Sequence, residues 1–222
     1  MTAFLIDARI LYRELLAAYG PQDWWPAETP LEVIVGAVLT QNTAWHNVAI
    51  AIANLKEQGL LGLETLLEAP ADIVKAAIRP SGFYNIKYER LRNVLAFLDE
   101  RGGLETVAAK PERKLRADLL QVRGVGEETA DSILLYALEE PCFVVDSYTR
   151  RLLSRLGHAW AERAPYADVQ TWFAREIPCE IECYKQYHAL IVQHGKAHCR
   201  KRPACAGCAL APSCPANGHG TA

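Results

Sequence analysis

Apolar residues three and four positions apart recur along almost the whole chain, a spacing that places side chains on one face of an α-helix. They include Leu11 and Leu15 near the start, Leu91, Val94, Leu95 and Leu98 in the middle, and Tyr187, Leu190 and Ile191 towards the end. Glycine and proline interrupt this pattern at short intervals, as at Gly20-Pro21 and Pro80-Ser81-Gly82. The sequence therefore predicts an all-α protein of roughly ten to twelve short helices without a sheet.

Length and charge bound the domain organisation and any contact with nucleic acid. The 222 residues suffice for one large domain or two smaller ones. We predict a central helical domain at 31–141 and a second domain formed by 1–30 together with 142–222. The formal net charge is −2, so the chain lacks the basic excess that is common in DNA-binding domains. Phosphate contacts would have to come from local basic clusters, such as 196–202.

No segment of the sequence indicates membrane insertion or secretion. Apolar runs fall short of the roughly 18 residues that a membrane span needs, and Asp7 and Arg9 interrupt the first apolar stretch. We expect a cytoplasmic protein, associated with the nucleoid if the source is prokaryotic. In a reducing compartment, the seven cysteines are expected to be metal ligands or buried thiols rather than disulfides.

Four cysteines near the C-terminus have the spacing C-x5-C-x2-C-x5-C; they are Cys199, Cys205, Cys208 and Cys214. Four thiolates in a short loop can bind a zinc ion or a [4Fe–4S] cluster. The single central CxxC pair favours the cluster, because zinc ribbons usually have two such pairs. Two disulfides or four free thiols are the remaining alternative. The other three cysteines are expected to be buried thiols.

A Gly-x-Gly turn at Gly124-Val125-Gly126 stands between an apolar segment and a predicted helix that contains Thr129. Glycines allow a tight turn, and exposed amides at a helix N-terminus can bind a phosphate. An ordinary loop between two helices would have the same pattern. Further along, Asp146 follows the apolar segment Phe143-Val144-Val145, where it could cap the next helix or serve as a reactive carboxylate.

Taken together, 122–130, 144–150 and the terminal cysteines resemble the helix-hairpin-helix DNA glycosylases of the endonuclease III superfamily. The similarity runs from Pro30 to Cys214 and includes 39–43 and 82–87. The resemblance implies two helical domains, a C-terminal [4Fe–4S] cluster loop and a damaged base flipped into a cleft between the domains. It also implies that the hairpin amides hold a DNA phosphate and that Asp146 is the catalytic aspartate.

Two details favour one branch of that superfamily. Members that also cut the DNA strand have a lysine nucleophile two residues after the second hairpin glycine, where this chain has Glu128. A carboxylate cannot form an imine with the sugar, so we expect weak or absent lyase activity. The motif Asp23-Trp24-Trp25-Pro26, together with Trp45, resembles the 3-methyladenine DNA glycosylase III branch. There the aromatic residues form the base pocket, and a glutamate occupies the position of Glu128, which is therefore a candidate catalytic residue beside Asp146.

Two positions depart from the pattern of the superfamily. The first gap between cysteines is five residues where endonuclease III has six, so the loop is one residue tighter. Arg123 replaces the proline that is common before the first hairpin glycine, which removes a preset turn geometry but adds a cation beside the phosphate.

The predicted DNA-binding residues fall into three groups. The hairpin supplies Arg123, Gly124, Gly126 and Thr129, and the cysteine loop presents Lys196 and Arg200 to phosphates. Asn42, or its neighbour Gln41, could fill the space of the extruded base, and Lys87 with its loop would contact the opposite strand. The alternatives are a helix cap for Gln41 or Asn42, a solvated charge for Lys87, and core packing for the three tryptophans.

The sequence thus predicts a monofunctional glycosylase for alkylated purines that acts as a monomer on double-stranded DNA with a damaged base. Indole faces attract a cation, and 3-methyladenine is a cationic leaving group. Glycosylases for uracil, mismatched thymine or adenine opposite oxidised guanine remain alternatives, as do a non-catalytic DNA-lesion binder and a redox sensor.

Overall fold

The computed structural model describes 5–22, 24–109 and 112–219, and all regular elements in these ranges are helical. The α-helices are α1 (Ala8–Tyr19), α2 (Pro30–Leu39), α3 (Trp45–Glu57), α4 (Leu63–Glu68), α5 (Ala71–Ile78), α6 (Tyr84–Asp99), α7 (Leu104–Ala108), α8 (Glu112–Gln121), α9 (Glu127–Ser132), α10 (Ser147–Arg155), α11 (Tyr166–Glu176) and α12 (Ile181–Ala197). Short 3₁₀ turns lie at Arg79–Ser81, Ala159–Glu162, Ala211–Ser213 and Pro215–His219, and a π-helical turn at Ile133–Ala137. The predicted all-α class is confirmed. None of these described helices is both long and apolar enough to cross a membrane.

The chain divides into two compact units. The central unit is Trp25–Glu140, and the terminal unit combines the residues up to Trp24 with those from Pro141 onward. The predicted domain boundaries, 31–141 for one domain and 1–30 plus 142–222 for the other, stay a prediction.

The central unit is built around α2, which is buried from Glu32 to Leu39. Thr29 caps this helix by accepting a hydrogen bond from the Glu32 backbone, and Pro30 occupies its first turn, where no amide donor is needed. Helix α2 packs against α3, α6, α9 and the π-helical turn. Its C-terminus therefore delivers the loop 40–44 from a rigid core element.

In the terminal unit, α12 packs against α1 and α10, and α11 packs against α1. Four aromatic residues fill its core: Phe143, Phe173, Tyr184 and Tyr187. The rings of Phe143 and Phe173 stack with centroids 4.0 Å apart. The Tyr166 hydroxyl accepts a hydrogen bond from the Val145 amide at 3.0 Å. These contacts fix the extended segment that leads into Asp146.

Candidate functional site

Asp146 is the N-cap residue of α10 and is 9% exposed. Its Oδ1 accepts hydrogen bonds from the Thr149 amide at 2.7 Å and from the Thr149 hydroxyl at 2.8 Å. The capping role and the role of a reactive carboxylate are compatible, because both hydrogen bonds from Thr149 go to Oδ1 and not to Oδ2. That second oxygen lies 3.6 Å from Nε2 of His188.

His188 is a residue that the sequence analysis missed. It is 5% exposed and lies on α12 among the buried residues Tyr184, Tyr187 and Ile191. A histidine on an apolar helix face needs a polar partner, and this is the signal that could have drawn attention to it. Burial alone would raise the pKa of Asp146, but the hydrogen bond and charge of His188 and the two bonds from Thr149 outweigh it and lower that pKa. The Asp146 carboxylate is therefore held ionised.

Lys196 belongs to the same unit as Asp146 and is exposed at the end of α12. Its ammonium lies over the Trp24 ring, 4.9 Å from the centroid. Partial desolvation of the ammonium lowers the pKa of Lys196, and the negative charge of Asp146 opposes this shift. Trp24, Lys196 and Asp146 thus form one group of interacting side chains, although Lys196 was predicted only as a phosphate ligand.

The hairpin turn has the predicted form. Gly124 has a φ of +96°, which favours glycine, and the Val125 amide donates to the Val122 carbonyl at 3.0 Å. Gly126 is the N-cap of α9, whose first turn contains Glu127 and Glu128. Arg123, Gly126 and Glu128 are all exposed.

Two predicted DNA ligands are instead used inside the central unit. Gln41 Nε2 donates to the Gly124 carbonyl at 3.1 Å and to the Thr129 hydroxyl at 3.0 Å, and its Oε1 accepts from Arg90. Thr129 is 7% exposed. Both side chains hold the hairpin in place: Thr129 is too buried for its side chain to contact DNA, whereas the prediction that Gln41 contacts DNA stays a prediction.

Asn42 is exposed and has a φ of +55°, a left-handed conformation that asparagine tolerates well. It follows Thr40, the C-cap of α2, so it is not the cap residue of that helix. In the loop before α6, Phe83 also has a positive φ, +46°, and its side chain is 70% exposed. Each of the two predicted DNA-contacting loops thus has one exposed residue in a left-handed conformation.

Lys87 was predicted to contact DNA, and the structure contradicts this. Its side chain is 1% exposed, and Nζ donates to the carbonyls of Leu39 at 2.8 Å and Ser81 at 2.6 Å. Burial, together with the nearby charge of Arg90, lowers the pKa of Lys87 to about 8. Lys87 is neither a phosphate ligand nor a solvated charge; it joins α6 to the C-terminal end of α2.

Three aromatic side chains meet in the central unit. The Trp25 ring lies edge-on to Trp45 with centroids 5.2 Å apart, and its centroid is 5.1 Å from that of Tyr136 on the π-helical turn. Gly36 leaves room for them, because a Cβ atom there would lie 3.3 Å from the Trp25 ring and 3.5 Å from Trp45. Tyr136 was not predicted, since a π-helical turn leaves no clear signal in sequence.

Two further residues of the predicted aromatic motif, Trp24 and Pro26, are described by the structure. Trp24 is assigned to the terminal unit, whereas Trp25 and Trp45 belong to the central unit. Pro26 is exposed at a tight turn in which the Ala27 amide donates to the Trp25 carbonyl at 2.9 Å. Asp23 lies outside the described residues.

The four cysteines of the C-terminal loop line one cavity, together with His194 and Arg155. Arg155 organises the loop: its guanidinium donates to Cys199 Sγ at 3.2 Å, and its carbonyl lies 3.5 Å from Cys214 Sγ. Arg200 lies on the loop surface, where its Nε donates to the Lys196 carbonyl at 2.8 Å. Burial raises the pKa of Cys208, and its neighbours Cys205 and Cys214 raise it further, since thiolates repel one another.

The spacing of these cysteines distinguishes between two kinds of metal centre. Thiolates that share one zinc ion each lie about 2.3 Å from it. Within the described ranges, no three His, Cys, Asp or Glu side chains are close enough together to bind a single ion. A [4Fe–4S] cluster takes one thiolate at each iron and so separates its ligands more widely. Four cysteines around a cavity, with an Arg155 N–H group directed at the Cys199 sulfur, fit the residues that such a cluster requires.

The helical fold and the hairpin define a class of DNA repair proteins, and comparisons with known proteins agree. Residues 35–178 match the family model of the HhH-GPD superfamily of base excision DNA repair proteins. A protein of Methanocaldococcus jannaschii named "Putative DNA repair glycosylase" is 50% identical over 207 residues, which cover 92% of this chain and 94% of the relative. Endonuclease III of Sulfolobus acidocaldarius is 28% identical over 183 residues, or 82% of this chain and 79% of the relative.

A solved structure adds a structural likeness. The crystal structure of the H. pylori 3-methyladenine DNA glycosylase, bound to 1,N6-ethenoadenine, superposes with a TM-score of 0.73 at 29% identity and covers 86% of this chain and 98% of that chain. The chain belongs to the HhH-GPD superfamily of base excision DNA repair proteins, and the predicted resemblance is confirmed.

Proposed function

We propose that this protein is a monofunctional DNA glycosylase that hydrolyses the N-glycosidic bond of alkylated purines. The observation that carries the proposal is the Asp146 carboxylate, which Thr149 and His188 hold ionised and oriented. The membership of the chain in a base excision repair superfamily supports this role for the carboxylate.

The chemistry needs few groups. As the bond between base and sugar breaks, the electron pair leaves with the base and the sugar becomes an oxocarbenium-like cation. The Asp146 carboxylate stabilises this cation and orients a water molecule, whose oxygen bonds to the sugar carbon while the carboxylate accepts its proton. Oδ2, the oxygen that does not cap α10, is the one that we assign to this task.

An alkylated purine fits the remaining residues. A base such as 3-methyladenine is already cationic, so it departs without a strong general acid, and its recognition is the main requirement. Trp25, Trp45 and Tyr136 offer electron-rich faces in the central unit. A desolvated contact between a cation and such a face contributes about 2 kcal/mol, more than tenfold in affinity. The likeness to the H. pylori enzyme supports this substrate class.

We also propose that strand cleavage is absent or weak, because Glu128 stands where a lyase needs an amine. Borohydride would trap an imine between a lysine and an abasic DNA site, and we expect no trapped adduct. A trapped adduct would contradict the proposal. If an adduct formed in the wild type and was lost in Lys196→Met, Lys196 would be the nucleophile.

Contacts with double-stranded DNA are assigned to exposed groups, and we propose that one monomer makes them. The amides of Gly124 and Gly126, with the Arg123 side chain, would bind one phosphate. Lys196 and Arg200 would bind another, beside the cysteine loop. We assign Asn42 to the space left by the extruded base and Phe83 to the opposite strand, because both are exposed at loop positions.

We propose that Cys199, Cys205, Cys208 and Cys214 hold a [4Fe–4S] cluster, which would fix the loop that presents Arg200. Purified protein should then contain iron and acid-labile sulfide in equal amounts, with a broad visible absorbance. Cys205→Ser should lose that absorbance. Cys179→Ser should keep it, because Cys179 lies outside the quartet; this cysteine is exposed, so the prediction that it is a buried thiol is wrong. Stoichiometric zinc without iron would contradict the assignment.

The substrate is tested by offering purified protein parallel duplexes that contain an alkylated purine, uracil, or thymine opposite guanine, and by identifying the bases released. Release from the alkylated duplex alone supports the proposal. Release from uracil or mismatched thymine alone would assign the protein to another glycosylase class. Tight binding to damaged DNA without release of any base would indicate a non-catalytic lesion binder.

A further inference from the structure

Gln41 connects three elements of the central unit through a single amide group. Its Oε1 accepts a hydrogen bond from Arg90 on α6. Its Nε2 donates to the Gly124 carbonyl at 3.1 Å and to the Thr129 hydroxyl at 3.0 Å. The amide therefore joins the loop after α2 to α6 and to both sides of the hairpin turn, and its orientation is fixed by the donor on one side and the acceptors on the other.

Helix α6 supports the hairpin through two side chains one turn apart. Asn93 Nδ2 donates to the Arg123 carbonyl at 2.9 Å. The aliphatic stem of Arg90 lies directly over Gly124, where a Cβ atom would be only 2.3 Å from Arg90 Cγ. The absence of a side chain at Gly124 thus serves the packing of Arg90 as well as the positive φ.

Asn42 is bonded directly to Gln41, so its position depends on the same contacts. Its left-handed conformation turns the chain away immediately after the fixed residue, and its side chain is exposed. Gln41 makes side-chain hydrogen bonds between this loop and the hairpin turn, so a displacement of the hairpin would reach Asn42 through Gln41.

We propose that Arg90 and Gln41 are positioning residues that couple the phosphate-binding hairpin to the base-extruding loop, so that binding of the phosphate sets the position of Asn42. This inference rests on the proposed function, in which the hairpin binds phosphate and Asn42 enters the base stack. Neither Arg90 nor Gln41 needs to contact DNA for this. Their loss should impair extrusion of the base more than binding of the duplex.

The test uses a duplex with a tetrahydrofuran abasic-site analogue opposite 2-aminopurine, whose fluorescence rises when the stack is opened. Fluorescence anisotropy of a labelled copy gives the Kd separately. Arg90→Met keeps the stem over Gly124 but removes the donor, and Gln41→Glu keeps the acceptor for Arg90 but cannot donate to the hairpin. A charge-assisted hydrogen bond is worth about tenfold or more in an equilibrium, so the 2-aminopurine opening should fall by that factor while the Kd changes less than about threefold.

Two further variants separate positioning from a general structural effect. Arg90→Lys keeps a donor and should restore most of the opening. Arg92→Met removes a second half-buried arginine of α6, which donates to the Leu67 carbonyl, and should leave the opening unchanged. Equal losses of binding and opening, or an Arg90→Lys variant that behaves like Arg90→Met, would overturn the inference.

The abasic analogue makes this test independent of the substrate. A wild-type protein that opens the stack but releases no alkylated purine would refute the proposed substrate and leave the coupling standing. A wild-type protein that binds the duplex without any rise in 2-aminopurine fluorescence would overturn both the role of Asn42 and the coupling.

Discussion

At the scale of single residues, the chain places ionisable groups in protein surroundings that shift their pKa values. Asp146 is buried yet ionised, because Thr149 and His188 outweigh the cost of burial. Lys87 is buried, and two backbone carbonyls accept hydrogen bonds from its ammonium group. Each case predicts a dependence on pH that can be measured.

His188→Gln should move the acid limb of the kcat profile to higher pH. Because the pKa of Asp146 is lowered in the folded protein, its carboxylate stays ionised, and able to act, at pH values below the usual pKa of 3.8. The same shift stabilises the fold above pH 3.8, and this contribution is lost as the pH falls through the lower folded pKa. Glutamine can still donate a hydrogen bond but carries no charge, so the limb should shift to higher pH. An unchanged limb would show that His188 does not control the charge of Asp146.

Lys87→Met should remove a rise in stability at alkaline pH. Because the pKa of Lys87 is lowered to about 8, the unfolded chain binds more protons between pH 8 and 10.5, and wild-type stability rises through that window. The free energy of unfolding of the wild type, relative to the variant, should increase by about 2 kcal/mol across the window. Urea unfolding at pH 7.5, 9 and 10.5 measures this, and parallel curves for the two proteins would refute it.

At the scale of elements, close packing between α10 and α12 fixes where Asp146 lies. Gly195 of α12 faces Tyr148 of α10, and a Cβ atom at residue 195 would be 2.3 Å from Tyr148 Cδ1. Tyr148 is the second residue of α10, directly beside the start of the helix, and Arg151 stacks on its ring at 4.9 Å. A side chain at residue 195 would therefore displace the end of α10 that carries Asp146.

Gly195→Ala should lower both stability and activity. Overpacking of this kind typically costs about 1–3 kcal/mol, and the displaced carboxylate should reduce kcat by about tenfold or more. Thermal unfolding and base release measure the two effects. Gln193→Ala, at an exposed site of the same helix, is the control and should change neither. A Gly195→Ala protein with wild-type kcat would show that this contact does not position Asp146.

The elements that could be predicted from the sequence are those with local signals. Turn glycines predicted the hairpin at 124–126, and an acid after an apolar run predicted the helix start at Asp146; both are present. His188, Tyr136 and Arg90 could not be assigned, because their partners lie far away in sequence. The burial of Lys87 was missed for the same reason, because the carbonyls that accept its hydrogen bonds belong to other elements.

At the scale of the whole molecule, DNA binding has to arise from a chain whose formal net charge is −2. The exposed cations are therefore expected to act locally, and each should displace counterions from the DNA on binding a phosphate. The salt dependence of the affinity counts these contacts, because its slope is about −0.9 per phosphate in duplex DNA.

Arg123→Ala should reduce the slope of log Kobs against log salt by about one. The loss should be similar for damaged and undamaged duplexes, since a phosphate contact carries no information about the base. Arg13→Ala, at an exposed residue of α1, is the matched control and should leave the slope unchanged. Equal slopes for the wild type and Arg123→Ala would exclude Arg123 as a phosphate ligand.

The most direct test of the account is to incubate the wild-type protein and Asp146→Asn with heavily methylated DNA and to identify the free bases and the integrity of the strand. Asparagine can still cap α10, so the variant should fold. We predict that the wild type releases 3-methyladenine without nicking the strand, and that the rate falls by at least about a hundredfold in Asp146→Asn. No release of any methylated purine by wild-type protein with intact cluster absorbance, or equal release by the variant, would contradict the account.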